Sequence, residues 1–151
     1  MKTSPAGIAL ICRFESCRLE AYPDPGVGWK LPTIGWGHTG AGVTMGLRID
    51  QARADQLLAS DLRASESAVL GVVRVPLIQC RFDALVSFAY NCKGWRTSIL
   101  IRLCNAGNFA AASNEFPKWI HAEAEDGHVE VLPGLVLRRA AEQALFNSAA
   151  S

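Results

Sequence analysis

Apolar positions recur at helical spacing through most of the chain, and one segment near the N-terminus breaks the pattern. Ser4-Pro5 is a helix start, a hydroxyl cap followed by proline at the first helical position, and Ile8, Ile11, Cys12 and Glu15 carry the 3.6-residue period to about Cys17. Glu15 falls within that apolar stripe, where an ionised carboxylate is costly unless it has a partner, a cleft or a task. From Tyr22 to Gly46 glycine and proline alternate with Trp29, Ile34, Trp36, Val43 and Met45, which predicts short strands and tight turns. Asp50 then caps a long helix toward Leu70, with Asp61 on its apolar face. Beyond Pro76 the reading is helical: through Ala84–Tyr90 to Gly94, Ser98–Asn105 to Gly107, and Phe109–Phe116 to Pro117. A loop or small hairpin over Glu123–Gly134 precedes a last helix, Leu135–Phe146, on which Leu135, Arg138, Arg139, Glu142 and Phe146 share a face.

These elements predict an α+β class, predominantly helical. A small hairpin lobe (about 18–46), a connecting helix (about 50–70) and a larger helical lobe (about 76–147) form one two-lobed domain over residues 1–151, with a cleft between the lobes. Half of the residues are hydrophobic and 19% are charged, the composition of a globular protein. Fifteen basic residues against fourteen acidic give +1, no field of the kind nucleic acid requires. Five cysteines without a CxxC pair read as free thiols in a reducing compartment. The N-terminal apolar stretch meets Arg13 and Glu15 too soon to span a membrane or to serve as a signal peptide. The expectation is a cytoplasmic monomer that needs a separate release factor to reach any target outside.

Glycosidic cleavage needs an acid to protonate the leaving oxygen and usually a second carboxylate. Glu15 and Asp24 could supply the pair, although by spacing alone an ion pair and a turn aspartate explain them as well. The neighbouring residues carry more. Phe14-Glu15-Ser16-Cys17-Arg18-Leu19-Glu20-Ala21-Tyr22-Pro23-Asp24, followed by Thr33-Ile34-Gly35-Trp36-Gly37-His38-Thr39, resembles the signature of phage-type lysozymes, glycoside hydrolase family 24. Ala84–Asn91 is similar to that family's core helix, and Gly134–Glu142 to its closing Gly-Leu-x-x-Arg-Arg-x-x-Glu helix. The connector from Asp24 to Thr33 is longer than in the most compact members, and Cys17 stands where small residues are frequent.

The resemblance implies a lysozyme-like fold and an endolysin. Such an enzyme hydrolyses the β-1,4 bond between N-acetylmuramic acid and N-acetylglucosamine, needs no metal or cofactor, and is held in the host cytoplasm until a holin-type factor releases it onto the wall. Glu15 is then the general acid, with Asp24 and Thr33 placing water in an inverting reaction. Partial burial would raise the acid's pKa while a turn aspartate stays ionised. His38 could be read as a base or, with His121 and His128, as a metal ligand, but no HExxH frame exists. The resemblance makes it structural, with Asp61 as its ion-pair partner. It also implies that Arg138 closes over Glu15 and orients it, while an Arg138–Glu142 surface pair at i,i+4 is equally open. Glycan contacts are expected from Thr39, Tyr90, Asn91, Ser98 and Trp119, each of which could instead be a cap or core residue. Two alternatives remain, a lytic transglycosylase and a catalytically inactive wall-binding module on the same fold. A zinc amidase would be betrayed by sensitivity to chelators.

Overall fold

The computed structural model describes residues 1–123 and 126–148. The order of elements is α1 (Pro5–Phe14), β1 (Arg18–Asp24), β2 (Gly28–Gly35), β3 (His38–Thr39), α2 (Gln51–Val72), α3 (Gln79–Asn91), α4 (Ile99–Asn105), α5 (Phe109–Ser113), β4 (His121–Glu123), β5 (Val129–Val131) and α6 (Pro133–Asn147), with single 3₁₀ turns at Trp95–Thr97 and Phe116–Lys118. The class is α+β, mostly helical. Its strands form an antiparallel sheet β1-β2-β3 and a separate β4-β5 hairpin. Two compact units are present, residues 11–64 and residues 1–10 with 65–151.

In the unit of residues 11–64, the helix α1 ends at Phe14, three residues short of the periodicity's reach, and Arg18 already pairs with Gly35 in the sheet. Local apolar spacing cannot register that competing ladder. Ala21, Ile34 and Val43 are buried, with Leu47, Ile49 and Leu57 packed against them. The outer edge of β1 is held by Ala21 N–H to Leu47 O and Ile49 N–H to Leu19 O, both 2.9 Å. Gly35 adopts φ +63°, and a Cβ there would lie 3.4 Å from Ala54, so glycine is the residue that lets the sheet meet α2. Asp50 caps α2 by accepting the Arg53 N–H at 2.8 Å.

The second unit is built on α3, whose residues Phe82 to Phe88 are all buried. An aromatic chain crosses its core: Phe88 against Phe116 at 5.4 Å and Trp119 at 5.3 Å, and Phe116 against Phe146 at 5.4 Å. These are edge-on contacts, the arrangement ring quadrupoles favour. Ser98 Oγ and Asn108 Oδ1 cap α4 and α5 by accepting the N–H groups of Ile101 and Ala111. The helix read over Phe109–Phe116 ends at Ser113, and Pro117 instead lies within a 3₁₀ turn over Phe116–Lys118. Ser4 closes the N-terminus onto α3, its N–H donating to Asp83 Oδ1 at 2.9 Å and its hydroxyl to Oδ2.

Candidate active site

Glu15 follows the last residue of α1, and its N–H still donates to Ile11 O at 3.1 Å, so the helix delivers it at a fixed point. It is half-buried. Its charge reaches Cys12, whose thiol is pushed up first by burial and then by the negative fields of Asp55, Cys17 and Glu15.

Asp24 closes β1 in an Asx turn. Its Oδ1 accepts the N–H groups of Gly26 at 2.8 Å and Val27 at 3.0 Å, while its backbone pairs with Gly28. Thr33 lies on β2 opposite Tyr22 on one side and Thr39 on the other. It is buried, and its hydroxyl donates to Leu31 O at 3.3 Å. One three-stranded sheet therefore gathers Asp24, Thr33, His38 and Thr39. The Arg18 guanidinium stacks 4.4 Å over the Tyr22 ring on the same sheet.

His38 Nδ1 lies 2.9 Å from both carboxylate oxygens of Asp61, the contact expected between β3 and α2. Nearby, and without any sequence signal beyond a helical i,i+4 spacing, Asp55 accepts the Trp36 indole N–H and the Gln51 amide N–H, each at 2.8 Å. These two donors hold the Asp55 carboxyl below its ordinary range.

The other expected residues lie in the second unit. Asn91 and Trp119 line a cavity of about 430 Å³ with Cys92, Lys93, His121 and Glu123, and Trp119 also packs on Phe88. Asn91 Oδ1 accepts from Arg139 at 2.7 Å. Tyr90 is half-buried at the same helix end. Ser98 is buried, and its hydroxyl is engaged as the α4 cap. His121 is on β4, and His128 pairs with Asp126.

Arg138 is not part of a surface pair. Its Nε donates to Glu142 at 3.2 Å, and both side chains are buried because α6 turns this face onto α3. Glu142 Oε1 also accepts from Ser87 Oγ at 2.7 Å and from Arg139 at 3.2 Å, while Arg139 Nε and Glu142 Oε2 sit 2.8 Å apart as an ion pair without hydrogen-bond alignment. Burial raises the Glu142 carboxyl, against the downward pull of Arg139, Ser87 and Arg138. Sequence reading also missed Asp83, which is buried and accepts from Ser4 and Gln79. The available signal was a carboxylate inside the α3 apolar run.

The phage lysozyme family pattern matches residues 12–142, nearly the whole chain. The chain belongs to the phage lysozyme family. Membership places it among the lysozymes, which are glycoside hydrolases. It is 37% identical to the endolysin of Salmonella phage P22 over 155 residues, covering 98% of this chain and 99% of that one. It is 42% identical to the endolysin of Bacillus phage PZA, covering 98% of this chain and 56% of that longer protein. Among solved structures, the muramidase domain of SpmX from Asticaccaulis excentricus superposes with a TM-score of 0.89 at 37% identity, over 98% of this chain and 99% of that one.

Proposed function

We propose that this lysozyme is an endolysin that hydrolyses the β-1,4 bond between N-acetylmuramic acid and N-acetylglucosamine in peptidoglycan, and that residues 1–151 act as one catalytic domain. The observation that carries the reading is the family match over residues 12–142, which contains Glu15, Asp24 and Thr33 in motif order. Glu15 gives its proton to the leaving glycosidic oxygen. Asp24 and Thr33 position a water that attacks the anomeric carbon from the opposite face, so that the C–O bond to the sugar forms as the glycosidic C–O bond breaks, with inversion. The water's surplus proton passes to Asp24.

The elements support this division of labour. A helix end presents Glu15 half-buried, while the Asx turn fixes the Asp24 carboxylate through two backbone donors. Thr39, Tyr90, Asn91, Ser98 and Trp119 remain the proposed glycan contacts. No described helix is long and apolar enough to cross a membrane, and access to the wall is proposed to depend on a separate release factor.

Mass spectrometry of digested peptidoglycan tests the reaction. New reducing-end sugars are expected; anhydro sugars would identify a transglycosylase and freed peptides an amidase. Glu15→Gln is expected to lower kcat about 10²–10⁴-fold with the fold intact. Wild-type lysis by that variant would remove Glu15 from the mechanism.

A further inference from the structure

On β1 the neighbours Pro23 and Asp24 pair with Pro32 and Gly28 on β2, so the ladder passes over Trp29, Lys30 and Leu31, which have no partner on β1. The long connector noted between Asp24 and Thr33 is accommodated as this bulge. Bulges are built features that re-aim side chains, often beside active sites. Two of the three re-aimed side chains are large and apolar, Trp29 at 42% exposed and Leu31 at 41%, and Val27 in the adjoining turn is 52% exposed. The core of this unit is closed by Ala21, Ile34 and Val43 and makes no use of them.

We propose that Trp29, backed by Leu31, is a stacking platform for a sugar of the glycan strand beside the reacting bond, a specificity-determining position that the bulge adds to the site. The inference rests on the reading of Asp24 as a catalytic carboxylate. Distance supports it. Gly28 is the cross-strand partner of Asp24. One ladder spacing plus one residue step puts the Trp29 Cα within roughly 9 Å of the Asp24 Cα, inside reach of a sugar next to the one being cleaved. Chemistry supports it too, because the C–H face of a pyranose packs on an indole, and the ring's low conformational freedom makes an exposed tryptophan an economical anchor. The occupant is a glycan strand because Trp29 directly follows Gly28, the cross-strand partner of Asp24.

Steady-state kinetics on uncrosslinked glycan strands should show Trp29→Ala raising KM about 3- to 10-fold, with kcat within about twofold of wild type and Trp29→Phe recovering most of the loss. Calorimetric binding of the same strands to Glu15→Gln, with and without Trp29→Ala, should weaken by the same factor. Unchanged KM together with unchanged binding overturns the platform, and so does a loss confined to kcat. The binding comparison reads Trp29 without turnover. An active Glu15→Gln protein would therefore strike the catalytic reading, while the binding result still decides this one.

Discussion

At the scale of single residues the molecule places its carboxylates in very different settings. Asp24 is exposed to a turn's N–H groups, Asp61 faces an imidazole, and Glu142 is enclosed with two arginines. The last arrangement is the most consequential for stability. Two guanidinium groups and Ser87 converge on one carboxylate, so removing it takes a counter-charge away from two buried cations. Deleting one partner of such a cluster typically costs about 3–5 kcal/mol, far more than the pair is worth when exposed. Glu142→Ala is therefore expected to lower unfolding stability by about that amount in a urea titration. A loss under about 1 kcal/mol would mean that water or rearrangement compensates the arginines.

At the scale of elements, capping and periodicity account for most helix starts, and one contact decides how α1 meets α3. Gly7 is buried against Asp83: a Cβ at Gly7 would come within 2.8 Å of the Asp83 Cβ and 2.7 Å of the Thr3 methyl. The Asp83 side chain cannot step aside freely, since three hydrogen bonds hold it, from the Ser4 N–H, the Ser4 hydroxyl and the Gln79 amide. Alanine favours a helix over glycine by about 1 kcal/mol, whereas overpacking costs about 1–3 kcal/mol. The steric term wins, and Gly7→Ala should unfold at a lower temperature than wild type. A raised Tm would show that α1 can shift away from α3 without loss.

At the scale of the whole molecule, all five cysteines are free thiols in graded environments. Cys104 is fully buried, and desolvation outweighs the nearby Arg81 to push its thiol up to about 11. Since only the thiolate reacts, about one Cys104 in a thousand is reactive at pH 8, and the fraction rises as pH climbs toward that value. Alkylation of the folded protein mapped by mass spectrometry should label Cys17, half-buried beside Gln51, well before the fully buried Cys104. Equal labelling rates would mean that the second unit opens as fast as the reagent reacts.

The sequence by itself determined the elements and the family, because caps, glycine stops and apolar periodicity act within a turn or two of chain. Asp50 and Ser98 cap where the sequence places helix starts, and Glu15, Asp24 and Thr33 stand in motif order along the chain. What only the tertiary structure decided are arrangements between residues far apart in sequence. A surface i,i+4 contact between Arg138 and Glu142 is one of two readings open in the sequence until Ser87, 55 positions away from Glu142, shows the pair enclosed. Asp83 looks like an interruption of an apolar helix until Ser4, 79 positions away, supplies its donors. The ladder that skips Trp29 to Leu31 depends on which residues of β1 and β2 pair, a register that the pattern of either strand alone leaves open. Burial and pairing are set by the whole packing, whereas local propensity sees only its own few neighbours.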